Sequence, residues 1–116
     1  MLTTAPDRAE MAQMQQSAAQ AADFLRALGH HGRLMILCHL VTGEKSVSDL
    51  EALLGARQAA VSQQLARLRH EGLVRARREG KTIHYSLADP RAERLIVLLY
   101  EMFCAPGAQD AQGRKG

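Results

Sequence analysis

Apolar positions recur along this chain at two different periods, and the change from one to the other divides it into helices and a hairpin. Between residues 8 and 28, Met11, Met14, Ala18, Ala21, Leu25 and Leu28 follow at alternating steps of three and four. That average of about 3.5 residues is the seam of a helix lying along another helix. Gly29 closes the segment, and a second, shorter helix is predicted over 30–42 through Leu34, Leu37, Cys38 and Val41, stopped by Thr42-Gly43. The stretch SVSDLEALLG predicts a third helix, with Ser46 at its cap, Asp49 or Glu51 in the favourable first turn and Gly55 at its end.

A fourth helix is predicted from Arg57 to Glu71, with Val61, Leu65 and Leu68 on one side and Ala59, Gln63, Ala66, Arg67 and His70 on the other. Past Gly72 the period falls to two. LVRARR and TIHYSL flank Glu79-Gly80-Lys81, a β-hairpin signal, and Val74, Ala76, Ile83, Tyr85 and Leu87 form its expected inner face. Asp89-Pro90 opens a last helix through Leu95, Ile96, Leu98, Leu99, Met102 and Phe103, with proline at the tolerated first position. Ala105-Pro106-Gly107 breaks it. The expected architecture is therefore mainly α with a β-hairpin, a single domain over 1–104 followed by a polar, disordered tail at 105–116.

Composition sharpens this picture. The 116 residues are 47% hydrophobic yet include only two Tyr, two Phe and no Trp, so the core is small and aliphatic. Some apolar helix surface is then expected to be completed by a second copy of the chain. Asp7, Glu10 and several glutamines interrupt any apolar leader over 1–22, and no apolar run approaches the roughly 20 residues of a membrane span. A cytoplasmic protein without membrane contact is expected. There a permanent disulfide is disfavoured, which leaves metal binding, redox sensing or plain burial for the two cysteines.

The net charge of +3 matters because the cations cluster. The third and fourth helices, joined by Leu54-Gly55-Ala56-Arg57, have the layout of a helix-turn-helix, whose second helix enters the DNA major groove by its N-terminal half. Gln58, Ser62 and Gln63 lie in that half, and such amide and hydroxyl groups bond base edges or phosphates. The hairpin takes the place of a wing. Between 67 and 81 the chain sets Arg67, Arg69, Arg75, Arg77, Arg78 and Lys81 against only Glu71 and Glu79. A basic run alone reads as a solvated face; beside a helix-turn-helix and a hairpin it reads as a phosphate-neutralising surface. Aromatic residues for stacking single strands are missing, so double-stranded DNA is the expected partner. Arg57, Gln58, Ser62, Gln63, Arg67, Arg77, Arg78, Lys81 and Thr82 are the candidate contacts. A sequence-indifferent architectural DNA binder is a further reading of the same charge.

RLMILCHL, then SVSDLEALLGARQAAVSQQLARLRHEGLV, then RREGKTIHYSL resemble the ArsR-type winged-helix repressors, roughly over residues 20–104. The resemblance implies a winged helix-turn-helix and a homodimer built through the first and last helices. Met11, Met14, Ala18, Leu25, Leu95, Leu99 and Met102 would lie at its interface, in agreement with the seam read from the spacing. Two recognition helices would then meet successive major grooves of a palindromic operator.

Many members of that family sense metals, and this chain departs from both of their common sites. Where one pattern has Cys-Val-Cys-Asp-Leu, this chain has Ser46-Val47-Ser48-Asp49-Leu50, and serine hydroxyls are poor ligands for soft metals. The pattern of the last-helix zinc site, matched at Asp89, falls on Arg91, Met102 and Ala105, so no zinc shell closes there. His30, His31 and His39 lie near Cys38 in sequence, but His39 points about 100° round the helix from it, and a surface histidine is the simpler reading. His70 and His84 suit DNA contact or solvation. No metal and no cofactor is expected.

Cys38 in an apolar stretch is by default a small buried hydrophobe, and Cys104 beside Tyr100 and Phe103 reads the same way. The family resemblance changes this. Ile36-Leu37-Cys38-His39-Leu40 and Phe103-Cys104 resemble the persulfide-responsive branch, the BigR and SqrR type with HlyU as a further resemblance, which carries one cysteine in each of these positions. It implies a redox-sensing pair, Cys38 and Cys104, linked by sulfur from a persulfide or polysulfide effector so that the repressor leaves its operator. Activation of the thiols would have to come from basic neighbours such as Arg33 or His39. A general oxidant forming a plain disulfide, haem, arsenite or another metal are alternative inputs to the same fold. An enzyme is not expected, because no Cys, His and acid arrangement accompanies the thiols.

Overall fold

The computed structural model describes residues 5–104. The tail predicted over 105–116, and the Ala105-Pro106-Gly107 helix stop with it, lie outside the described residues. Helix α1, Arg8–Leu28, begins in a capping box: the Asp7 carboxylate accepts from the Glu10 N–H at 2.9 Å, and the Glu10 carboxylate accepts from the Asp7 N–H at 2.9 Å. Helix α2, His31–Val41, is capped by an imidazole. Nδ1 of His30 accepts from the N–H groups of Gly32 and Arg33 at 3.1 and 3.4 Å, so this histidine has a structural task.

Strand β1, Lys45–Ser46, precedes helix α3, Val47–Leu54, and helix α4, Gln58–His70. Strands β2, Val74–Glu79, and β3, Thr82–Leu87, form the hairpin, and helix α5 runs from Pro90 to Phe103. The predicted hairpin is thus the larger part of a three-stranded antiparallel sheet in the order β1-β3-β2. Lys45 pairs with Tyr85 and Ser46 with His84. A two-residue strand carries no readable period. Ser46 also serves as the α3 cap, its hydroxyl accepting from the Asp49 N–H at 3.1 Å while the Asp49 carboxylate accepts from the Ser46 N–H at 2.9 Å.

The helices α1 to α5 and the start of the hairpin close on one core. Ile36, Leu37, Leu50, Leu65, Leu68 and Leu73 are its largest fully buried side chains, and every one is aliphatic. The expected hairpin face is only partly inside. Val74 is buried, while Ala76, Ile83, Tyr85 and Leu87 are half-buried, because the register pairs Val74 with Leu87 at the core end and Arg78 with Ile83 toward the tip. The hairpin therefore projects from the body as a wing.

Helix α1 joins this core only by its last turns, where Ala27 and Leu28 are buried and Phe24 packs alongside. Leu28 leaves the predicted seam for its own core. Of the other seam residues, Met11, Met14 and Leu25 are each more than half exposed and Ala18 is exposed, while Ala21 is half-buried.

The reciprocal Ser46–Asp49 bonds predict the effect of a single change. Ser46→Ala should cost about 1 kcal/mol in urea unfolding. The same bonds hold the Asp49 carboxyl below the usual carboxylate range. Its contribution is full above the ordinary aspartate value and is lost as pH falls through the lowered folded one, so the deficit of Ser46→Ala should shrink in acid. A deficit that is the same at neutral and strongly acid pH would assign it to the lost Asp49 N–H bond to the hydroxyl alone and remove the carboxylate's share.

Candidate nucleic-acid interface and dithiol pocket

Gly55 ends α3 in a left-handed conformation (φ 64°), which turns the chain sharply into α4. Val61, Leu65 and Leu68 clamp α4 to the body, so its opposite face points outward by helical geometry. Gln58, Ser62, Gln63 and Arg67 are exposed along that face, with Arg57 exposed at its start. Arg57 provides no side-chain cap, and the first turn holds no acidic residue. The positive end of the helix dipole therefore faces outward beside a cation, a setting that favours phosphate.

The wing adds further cations. Arg78, Lys81 and Thr82 are exposed at or near its tip, around the Gly80 turn (φ 61°). Arg57, Arg69, Arg75, Arg78 and Lys81 form no ion pair among the described residues, whereas Arg67 meets Glu71 at 3.2 Å. Arg77 differs from its neighbours. Its guanidinium grips Glu44 through two bonds of 3.0 and 2.7 Å and touches Glu79 at 3.4 Å. That pairing pushes the Arg77 pKa further up and pulls that of Glu44 down. Arg77 thus ties the wing to the turn before β1, an arrangement hidden in the sequence because the partners are 33 residues apart.

The cysteines come together on another side of the molecule. Cys38 on α2 and Cys104 just after α5 line one cavity of about 550 Å³, with Leu34, Met35, Val41, Ile96, Leu99, Tyr100 and Phe103 around them. Both thiols are free, Cys38 half-buried and Cys104 exposed. Burial pushes the Cys38 thiol pKa up, and the neighbouring Cys104 adds to the effect. The basic neighbours nominated from sequence do not serve this site. Arg33 is turned away, donating to the carbonyls of Ala27 and Arg26 and to the Gln64 side chain, and His39 is not part of the lining. The spacing along α2 could not reveal this, because the Arg33 direction is set by the end of α1.

The residues named for an interface between copies fall into two groups. Met11, Met14, Ala18, Leu25 and Met102 are exposed, while Leu95 and Leu99 are half-buried against the chain's own core. Among the described residues, no cluster of three His, Cys, Asp or Glu side chains could hold a metal ion, and no helix is long and apolar enough to cross a membrane.

Residues 30–76, from the α2 cap to the first half of the wing, match the family described as bacterial regulatory protein, arsR family. Over 93 residues the chain is 50% identical to the biofilm growth-associated repressor of Agrobacterium fabrum, covering 80% of each protein. The chain belongs to the ArsR family. Its fold agrees with solved structures of that kind. The transcriptional repressor BigR from Xylella fastidiosa superposes with a TM-score of 0.78 at 43% identity, over 82% of this chain and 97% of that one. Reduced HlyU from Vibrio cholerae gives 0.76 at 39% identity, over 79% and 97%. This ArsR-family member is a DNA-binding transcriptional regulator with a winged helix-turn-helix, and not an enzyme.

In this ArsR-family frame, exposure and pairing sort the candidate contacts into distinct expected effects. Ser62→Ala or Gln63→Ala should cost about 1–3 kcal/mol on a selected operator duplex for a lost base contact. Arg78→Ala and Lys81→Ala should weaken binding to all duplexes alike and flatten the salt dependence. Glu44→Gln should loosen the wing through Arg77. Anisotropy titrations over a range of salt separate the groups, and identical profiles for all five variants would overturn the assignment.

Proposed function

We propose that this regulator is a homodimeric repressor that senses persulfides and releases its operator when sulfur links Cys38 to Cys104. The observation that carries the reading is the shared apolar cavity between α2 and α5 into which both free thiols open. The related structures of reduced HlyU and of the transcriptional repressor BigR accord with a redox input and a repressor output.

The chemistry balances without an added oxidant. Exposed Cys104 takes the outer sulfur of a persulfide RSSH, giving a cysteine persulfide and RSH. That persulfide attacks the R-bearing sulfur of a second RSSH and expels hydrogen sulfide, leaving Cys–S–S–S–R. Half-buried Cys38 then displaces RSH and closes Cys–S–S–S–Cys. Two thiols and two RSSH thus become one bridge, two RSH and one hydrogen sulfide, with the thiol electrons leaving in the reduced sulfur products. Apolar walls suit chains of uncharged sulfur, and a bridge longer than a disulfide tolerates more separation between the two helices. Once closed, it fastens the core helix α2 to the end of α5.

The dimer is supported by the exposed apolar faces that remain. Met11, Met14 and Leu25 on α1, and Val97, Leu98 and Met102 on α5, are each 43% or more exposed. A two-fold assembly through these helices would present two α4 helices to an operator about one helical turn apart. Met14→Glu combined with Leu25→Glu leaves the core untouched and should shift the protein toward monomer in sedimentation, with operator affinity falling in step. A double variant that sediments as the parent does would remove α1 from the interface.

Both cysteines should act as one switch. Cys38→Ser and Cys104→Ser should bind the selected operator like the parent when reduced, and neither should release it on adding an organic persulfide. The treated parent should gain the mass of one or more sulfur atoms less two hydrogens within a single chain, while Cys38→Ser stops at an open sulfur adduct on Cys104. Loss of two hydrogens alone would point to a general oxidant sensor. Full release by either single variant would sink the paired-thiol mechanism.

A further inference from the structure

We propose that Arg33 is a positioning residue for DNA recognition, the joint through which the end of α1 and the start of α2 orient the recognition helix α4. This role stands on hydrogen-bond geometry and does not depend on the thiol chemistry. The last carbonyls of a helix lack partners within it, and in α1 two of them are taken by one guanidinium: Arg33 Nε donates to the Ala27 oxygen at 2.6 Å and Nη2 to the Arg26 oxygen at 3.2 Å. A cation at this end also meets the negative pole of the α1 dipole. The remaining arm, Nη1, donates to Oε1 of Gln64 at 3.1 Å, a residue 31 positions away on α4.

Gln64 is well placed to transmit this constraint. It lies half-buried between exposed Gln63 and fully buried Leu65. The aliphatic stripe of Val61, Leu65 and Leu68 holds α4 close, but apolar contact is non-directional and tolerates small rotations about the helix axis. A directional bond to a planar fork does not. It fixes the rotation of α4, and with it where Ser62 and Gln63 point. Lysine, with a compact ammonium on a flexible stem, does not reproduce a three-way fork. Because the same guanidinium closes α1, the helix proposed to set the spacing of two copies is coupled to the helix that reads DNA.

The test uses the full-length reduced protein, a duplex selected from a random pool by the parent, and a random-sequence duplex of equal length. Arg33→Lys and Gln64→Met should each bind the selected duplex about tenfold more weakly. Affinity for the random duplex and the salt slope should stay within about twofold of the parent, since no phosphate contact is removed. The double variant should be no worse than the weaker single one, as for two halves of one interaction. Gln64→Glu keeps an acceptor and should retain the parent's ratio of selected to random affinity. Thermal unfolding reports that each variant is folded; should Arg33→Lys not fold, the two Gln64 variants decide the matter alone. Equal weakening on both duplexes, additive losses in the double variant, or parental selectivity in Gln64→Met would overturn the assignment.

Discussion

The burial of one face of α2 is the constraint on which the rest of the molecule depends. Ile36, Leu37 and Leu40 are at most 3% exposed. They belong to the same apolar cluster as Leu65 and Leu68 of α4, Leu50 of α3 and Ile96 of α5. Each such side chain contributes roughly 1.5–3 kcal/mol by leaving water. Among the described residues the core has no fully buried aromatic to fill space, so it is held by close interdigitation of aliphatic branches, and a displacement of α2 is felt by each helix packed on it. The same short helix carries Arg33 at its start and Cys38 beyond its middle. The Cys38 thiol and the guanidinium that reaches Gln64 on α4 therefore sit on one helix.

Charge is distributed with a comparable division of labour. Several cations of the α4 and wing region form no ion pair among the described residues, while Arg77 is held by Glu44 and Arg33 is engaged by backbone carbonyls and an amide. Unpaired cations can exchange counterions for phosphates, which makes binding strong and salt-dependent. The exposed Arg77–Glu44 pair adds little stability. Its two bonds fasten the wing to the segment just before β1.

The dithiol pocket balances access against protection. Burial, with Cys104 nearby, raises the Cys38 pKa, while Cys104 is exposed. Among the described residues, the apolar lining holds no cationic side chain.

Local pattern alone determined the order of the five helices and the hairpin, but not the short strand β1. The helix boundaries follow from apolar spacing and from residues such as Ser46, Gly55 and Pro90, whose backbone preferences act within one turn. The helix-turn-helix and wing were legible for the same reason, and exposure of Gln58, Ser62 and Gln63 followed from the 3.6-residue period around Val61, Leu65 and Leu68. Tertiary structure decided what no period encodes. It paired β1 with β3, took Leu28 out of the seam, bound Arg77 to Glu44, turned Arg33 toward Gln64 and away from the thiols, and brought Cys38 and Cys104 to one cavity. The physical reason is range: periodicity and capping are properties of neighbours along the chain. The partner of a long polar side chain, or the wall opposite a thiol, is chosen only when packing brings distant segments within a few ångströms.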